Sequence, residues 1–261
     1  MVFGYSDILS LPLQACYSGI IMHFRLILLE ETVSTSSYIK DNITVLESFT
    51  VVQALHQTAG RGRMGRIWQD EKNNSLLASF LFKNDFPEFD DLRKNCTAVF
   101  SLAACSAVSR LGIKTGIKWP NDIYADGKKL GGILAETGFC AAAERYLIAG
   151  IGLNINQEFA SFKNLPAAAS LRMFTGKIHD LADLRKSLFK ETAKFIKMKG
   201  REIHNAYIQA AGLFPGTGLA FKNEPETRMH LEKVNDDYSL TARKSGGEKI
   251  IITDSESILF S

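Results

Sequence analysis

The sequence predicts an α+β protein in which a mixed β-sheet with flanking helices is followed by a small all-β module. Two observations support this fold class. Apolar runs of strand length alternate with stretches of helical periodicity through most of the chain. From Gly216 onward the apolar runs are short and alternating, and polar turn residues interrupt them, which is typical of a small β-barrel. We therefore expect one large domain over residues 22–212 and a β-barrel domain over residues 213–261.

Each element is predicted from apolar periodicity and from the residues that flank it. The predicted strands of the large domain cover residues 23–29, 51–55, 75–82 and 146–156. Its helices are predicted over 92–111, about 179–199 and 202–210, with Gly112 and Gly200 ending the first two. Short strands of the small domain are predicted at 219–221, 229–231, 238–241 and 249–252.

Residues 1–21 are an N-terminal extension of uncertain status. They have no basic n-region and contain Asp7 and Gln14, so they make a poor signal peptide. Met22 stands directly before the first predicted strand, so the segment is either an overextended start or a genuine extra piece. No helix-turn-helix pattern is found in it.

Composition excludes several classes of protein. The 261 residues, 46% of them hydrophobic, are enough to bury a large core and a small second one. A net charge of +3 is mild for a protein dedicated to binding duplex nucleic acid. The four cysteines form no CxxC pair and the five histidines lie far apart, so neither a zinc site nor a disulfide framework is indicated. No apolar run is long enough to cross a membrane, and we expect a cytoplasmic protein.

A glycine and arginine stretch over residues 60–68 is the strongest functional signal. Arg61, Arg63 and Arg66 alternate with three glycines, and Trp68 closes the run. Glycine permits close approach of the backbone to a ligand, and guanidinium groups donate bidentate hydrogen bonds to carboxylates or phosphates. The stretch predicts a mobile cationic loop that binds an anion. On these residues alone, a solvated basic linker is an equally good interpretation.

A second informative stretch covers residues 117–136. Asp126 and Gly127 predict a hairpin between two strands. On the returning strand, strict alternation places Lys129 and Gly131 on one face, which leaves room for a ligand beside a cation. Pro120 interrupts the first strand directly before Asn121 and Asp122, so these polar groups either point into a site or form a simple turn.

Two further polar groups adjoin predicted strands. Asn154 follows two glycines at the end of an apolar strand, where a buried amide is either structural or a ligand contact. Ser34 and Thr35 precede a short amphipathic stretch, so they cap a helix or present hydroxyls to a polar ligand.

Taken together, these stretches resemble the biotin protein ligases. The family patterns GRGRxGRxW, KWPND with KKLGGILxE, and GIGxN occur here at residues 60–68, 118–136 and 150–154, in the family's order. The resemblance extends over most of residues 22–261 and is weaker in the C-terminal quarter. It implies a class II synthetase-like catalytic domain of the biotin/lipoate ligase type with a mixed sheet, and a small C-terminal SH3-like β-barrel. Because no winged DNA-binding domain precedes the catalytic stretch, the monofunctional type is implied.

The resemblance also implies the residues of the site. Those expected at biotin are Ser34, Thr35, Gln57, Gly60, Arg61, Gly62, Arg63, Lys129 and Gly132. Those expected at ATP or the adenylate are Arg63, Arg66, Trp68 and Asn154, and those expected in catalysis are Lys129, Arg63 and Asp122. Ser36 departs from the family, which often has Asn after Ser-Thr.

The implied reaction is the ATP-dependent activation of biotin to biotinyl-5′-AMP, followed by transfer of biotin to a lysine of a biotin carboxyl carrier domain. Biotin, ATP and Mg²⁺ are the implied substrates and cofactor, and the sequence assigns no metal ligands. A homodimer is compatible with the resemblance, whereas DNA and membranes are not expected as partners. Two alternatives remain: a lipoate ligase or octanoyltransferase of related fold, and a nucleic-acid-binding module that uses the arginine loop.

Overall fold

A large sheet forms the centre of the computed structural model, which describes residues 9–17, 20–140, 144–255 and 257–260. Its eight strands are arranged in the order β1-β2-β3-β6-β10-β9-β8-β7. The strands are β1 (Leu9–Tyr17), β2 (Ile20–Thr32), β3 (Thr50–Gln57), β6 (Ser75–Lys83), β7 (Gly116–Lys118), β8 (Asp122–Ala125), β9 (Lys128–Phe139) and β10 (Arg145–Asn154). β2 and β3 are parallel and the other neighbours are antiparallel, so the sheet is mixed, as predicted. β1, which lies within residues 1–21, pairs with β2 at one edge.

Five helices accompany the sheet in the described residues: α1 (Thr35–Asp41), α2 (Phe89–Ser109), α3 (Leu171–Thr175), α4 (Leu181–Ile196) and α5 (Gly200–Ala211). α2 has buried residues on every turn and contacts the sheet, α4 and α5, so it forms the centre of the core. Gly112 follows α2 with a φ of 79°, a left-handed conformation that glycine adopts easily.

The prediction that Gly200 ends the preceding helix is wrong: α4 ends at Ile196, and Gly200 begins α5. The Glu202 carboxylate accepts from the backbone N–H of Lys199 and caps this new start.

The hairpin between β8 and β9 is confirmed, but its register differs from the prediction. Asp126 and Gly127 have φ values of 45° and 70°. Ile123 pairs with Gly131 whereas Tyr124 pairs with Lys129, so Leu130 is an extra residue in β9. One extra residue reverses the side-chain alternation beyond it. The prediction that Lys129 shares a face with Gly131 is therefore wrong, and Lys129 lies beside Gly132 instead.

The C-terminal module is a five-stranded antiparallel sheet of order β14-β13-β12-β11-β15. Its strands are β11 (Gly218–Phe221), β12 (Arg228–Val234), β13 (Leu240–Lys244), β14 (Lys249–Ile252) and β15 (Ile258–Phe260). The module is fixed to the large domain by hydrogen bonds in which Trp119 Nε1 donates to Tyr238 O at 2.7 Å and Tyr238 OH donates to Asn95 Oδ1 at 2.6 Å. Among the described helices, none is long and apolar enough to cross a membrane.

Candidate active site

A cavity of about 140 Å³ lies over the face of the large sheet that carries α1. The start of α1, the arginine and glycine loop, and strands β9 and β10 surround it. Eleven of the residues expected at the site line it: Ser34, Thr35, Gln57, Arg61, Gly62, Arg63, Arg66, Trp68, Asp122, Lys129 and Gly132. The fold therefore brings together in one cavity expected residues that are up to 98 positions apart in the sequence, from Ser34 to Gly132.

One wall of the cavity is a network of uncharged hydrogen-bonding groups. Gln57 Oε1 accepts from the backbone N–H of Thr35 at 2.8 Å and from its hydroxyl at 3.2 Å. The same hydroxyl lies 2.7 Å from Ser79 Oγ. Ser34 caps α1 by accepting from Ser37 N, and its Oγ lies 3.0 Å from Ser36 Oγ. This wall offers donors and acceptors to a neutral polar group, and its members are fixed by one another.

The arginine and glycine stretch forms a small hairpin over the cavity. Its strands β4 (Gly60–Arg61) and β5 (Ile67–Trp68) pair antiparallel. They are joined through a 3-10 turn over Arg63–Gly65, in which Met64 and Gly65 have positive φ values of 55° and 74°. Glycine is required at position 60, because a Cβ there would lie 2.6 Å from the carbonyl oxygen of Trp68. The sequence predicted that this stretch is mobile, and that remains a prediction.

Cationic side chains concentrate around the cavity. Lys129 Nζ lies 2.7 Å from Asp122 Oδ1, and both side chains are partly exposed. Arg63 Nη1 donates to Asn121 Oδ1 at 3.0 Å, and Arg61 Nη2 lies 3.0 Å from Glu136 Oε1. Arg66 also lines the cavity. Four cations thus surround a space that two lining carboxylates, Asp122 and Asp254, balance only in part, and an anionic ligand suits such a site.

Trp68 forms an apolar wall. Its indole lies against Gly152 of β10 so closely that a Cβ at this glycine would lie 2.7 Å from the Trp68 Cε2 atom. The buried indole Nε1 has no hydrogen-bond partner among the described residues. Gly152 therefore makes room for the ring.

Asn154 does not line the cavity, and its expected place at the nucleotide remains a prediction. Its side chain is 6% exposed and donates through Nδ2 to Ala169 O at 3.2 Å. Gln157 Nε2 donates to its Oδ1 at 3.4 Å. The amide is thus used to hold the chain after β10, which is the structural interpretation that the sequence left open.

Sequence reasoning missed three groups at the site. The sequence leaves Asn121 open between a turn and a site residue and does not place it among the expected site residues, yet its Nδ2 donates to Ile133 O at 2.9 Å and this fixes its Oδ1 toward Arg63. Ser79 carries no signal because it stands inside an apolar run. Asp254 arrives from the C-terminal module, and no local pattern predicts such a tertiary approach.

A second cavity of about 500 Å³ adjoins the first and extends toward the C-terminal module. The two share Arg63 and Asn121. Tyr207 lines the second cavity, and its hydroxyl donates to Pro120 O at 2.7 Å. Burial raises the pKa of Tyr207 above its ordinary value, so the hydroxyl stays protonated and remains a donor. The site therefore has additional space next to its cations.

Metal ligands are sparse in the part of the chain that the structure describes. No group of three or more His, Cys, Asp or Glu side chains is arranged to hold a metal ion by itself.

Known proteins include several that are similar in sequence to this chain. The model of the biotin/lipoate A/B protein ligase family matches residues 28–155. The bifunctional ligase/repressor BirA of Bacillus spizizenii is 40% identical over 140 residues, which cover 51% of this chain and 41% of that protein. The biotin–[acetyl-CoA-carboxylase] ligase of Mycobacterium tuberculosis is 38% identical over 112 residues, covering 41% and 40%. The chain thus spans about two fifths of the length of these curated relatives.

The structural similarity to solved proteins covers more of the chain than the sequence similarity does. The biotin protein ligase of Aquifex aeolicus, solved in complex with biotin and ATP, has a TM-score of 0.71 and 26% identity. The match covers 90% of this chain and 99% of the other. The motifs and this shared fold agree with the family match: over residues 28–155 the chain is similar to the biotin/lipoate A/B protein ligase family.

Proposed function

We propose that the protein is an ATP-dependent biotin protein ligase. It would activate biotin to biotinyl-5′-AMP and transfer the biotinyl group to a lysine of a biotin carboxyl carrier domain. The observation that carries this proposal is a cavity with an uncharged hydrogen-bonding wall at one side and Arg61, Arg63, Arg66 and Lys129 around the other. The similar proteins of Mycobacterium tuberculosis and Aquifex aeolicus, which are named as biotin ligases, support it.

The first half-reaction has to bring two anions together. A carboxylate oxygen of biotin attacks the α-phosphorus of ATP, a C(O)O–P bond forms, and pyrophosphate leaves with the electrons of the broken P–O bond. Lys129 and Arg63 provide cations where negative charge accumulates on the phosphoryl oxygens, and such preorganised charges stabilise a transition state by several kcal/mol. Asp122, 2.7 Å from Lys129, holds that ammonium at the cavity before substrate enters.

The uncharged wall of the cavity would bind the rings of biotin. Thr35, Gln57 and Ser79 are already hydrogen-bonded to one another, so their orientation costs little when ligand binds. A neutral ring system with donors and acceptors matches such a wall, whereas a charged headgroup would find no counter-ion there. Biotin has both parts, a neutral polar ring system and a terminal carboxylate.

The second half-reaction needs the adenylate to survive until a carrier arrives. The neutral amine nitrogen of the carrier lysine attacks the acyl carbon, an amide bond forms, the acyl C–O bond breaks, AMP leaves with the bridging oxygen, and the nitrogen loses a proton to solvent. Water would attack the same carbon, so the loop has to cover it. Arg63 rests on the neutral Asn121 Oδ1, a weaker acceptor than a phosphate, and can exchange that partner for the adenylate phosphate.

Mg²⁺ would accompany ATP, supplying charge neutralisation of the phosphates. This ion is commonly held by phosphate oxygens, waters and one or two carboxylates rather than by a complete protein cage. Asp122 and Asp254 are the carboxylates that line the cavity, so the residues present fit such an ion.

A lipoate ligase or octanoyltransferase is the second candidate, because the matching family model covers both biotin and lipoate enzymes. The GRGRxGRxW and KWPND stretches favour biotin. A nucleic-acid-binding role is less well supported, since Arg61 and Arg63 are engaged at the cavity with Glu136 and Asn121.

The direct test of ligand class is thermal stability with and without ligand. Biotin should raise the melting temperature, and biotin with ATP and Mg²⁺ should raise it further, because a retained adenylate binds more tightly than either substrate. Lipoate with ATP serves as the control. A shift with lipoate and none with biotin would exclude the biotin ligase.

A further inference from the structure

Glu136 lies beside the candidate active site and has no part in the reaction as described above. It stands on β9, on the same face as Gly132 and Leu134, which line the cavity. Its side chain is only 16% exposed. A carboxylate buried to this degree is costly unless cations offset the loss of hydration.

Two cations share one oxygen of this carboxylate. Lys40 Nζ lies 2.7 Å and Arg61 Nη2 lies 3.0 Å from Glu136 Oε1. The other oxygen, Oε2, is buried and has no hydrogen-bond partner among the described residues. One carboxylate therefore joins three segments: α1 through Lys40, the central sheet through β9, and the arginine loop through Arg61.

Backbone hydrogen bonds from Thr58 N to Thr32 O and from Ala59 N to Val33 O, each 2.9 Å, hold the chain just before the loop, and beyond Ala59 side-chain contacts contribute to its position. The backbone of β4 pairs with β5, which belongs to the same loop, so this pairing holds the hairpin together without fixing it to the sheet. Arg61 reaches the sheet through a charged partner, and Arg63 reaches Asn121 through a neutral one. Charge-assisted hydrogen bonds are about twice as strong as neutral ones. The Arg61 contact is thus the firmer of these two.

We infer that Glu136 is a positioning residue that fixes the base of the loop through Arg61, so that Arg63 moves onto the adenylate while Arg61 stays in place. This inference rests on the proposed function for its ligand. It assigns Arg61 an anchoring contact with the protein in addition to its place in the cavity wall. The carboxylate acts by holding the loop, and it does not touch the reacting atoms.

The test compares Glu136→Gln with Lys40→Met. The first variant keeps the side-chain size and removes the charge that Arg61 needs. The second removes the other cation and leaves the Arg61 contact intact. We expect Glu136→Gln to release biotinyl-5′-AMP about tenfold faster than the parent, as loss of one charge-assisted contact predicts. Lys40→Met should stay within about twofold of the parent.

A second measurement needs no ligand. Trypsin cleaves after arginine, so the rate of cutting after Arg63 and Arg66 reports opening of the loop in the free protein. Cutting should be faster in Glu136→Gln than in Lys40→Met, while the melting temperatures of the two remain similar. If Glu136→Gln does not fold, Arg61→Gln removes the same contact from its more exposed side and takes its place.

Equal cutting and equal adenylate release in Glu136→Gln and Lys40→Met would overturn the inference, because both would then reflect a general structural role. Additive effects in the double variant Glu136→Gln with Arg61→Gln would also overturn it, since residues that act through one contact are not additive. If the parent protein forms no adenylate, the proposed function fails, and the tryptic comparison still decides whether Glu136 anchors the loop.

Discussion

Replacing Lys129 with alanine should cost about a hundredfold in the rate of adenylate formation. Lys129 Nζ lies 2.7 Å from Asp122 Oδ1, with the two side chains 33% and 23% exposed. The variant loses a charge-assisted contact to the substrate, worth about 2 kcal/mol. It also leaves Asp122 unpaired beside an incoming carboxylate, and after solvent screening this repulsion adds about 1 kcal/mol. A total of about 3 kcal/mol corresponds to roughly a hundredfold in rate.

The assay is biotin-dependent exchange of pyrophosphate into ATP. Lys128→Ala is the matched control, because Lys128 neighbours Lys129 but donates to Pro166 O at 2.6 Å and does not line the cavity. It should stay within about twofold of the parent. Normal exchange in Lys129→Ala would remove Lys129 from the site and refute the electrostatic reasoning.

Three further predictions concern the loop and its neighbours. Arg63→Gly should still make biotinyl-5′-AMP but release it early, so that lysines of an unrelated protein become biotinylated; labelling confined to the carrier would show that Arg63 does not retain the adenylate. Gly152→Ala should displace the Trp68 indole, whose Cε2 would lie 2.7 Å from the new Cβ, and should weaken the fluorescence change on adding biotin and ATP; an unchanged response would contradict this close contact. The protein should give no specific footprint on duplex DNA at physiological salt, because its net charge is only +3 and Arg61 and Arg63 are engaged at the cavity; a specific footprint would reverse that view.

Much of the fold was predictable because an apolar run of strand length indicates a strand that is buried in the sheet. The predicted runs at 51–55, 75–82 and 146–156 coincide with β3, β6 and β10, since strands in the middle of a sheet covered on both faces have to be apolar throughout. The hairpin at Asp126 and Gly127 followed from the left-handed conformation that its turn requires.

The errors have a common physical origin. The extra residue Leu130 leaves the apolar pattern intact while reversing which glycine faces Lys129, so alternation alone selected Gly131 in place of Gly132. Asn121 follows Pro120, whereas Asn154 ends β10, and for both the sequence left a structural and a ligand-binding interpretation open. The role of each side chain depends on which backbone carbonyl accepts from its amide. Asn154 donates to Ala169 O, whereas Asn121 donates to Ile133 O, which orients its Oδ1 toward Arg63.

The central claim is that this cavity activates the carboxylate of biotin with ATP. The measurement that tests it most directly is the exchange of labelled pyrophosphate into ATP with purified protein and Mg²⁺, run with biotin, with lipoate and with no acid. The account predicts exchange that depends on biotin, is absent without an acid, and falls about a hundredfold in Lys129→Ala. Exchange supported by lipoate and not by biotin would contradict it.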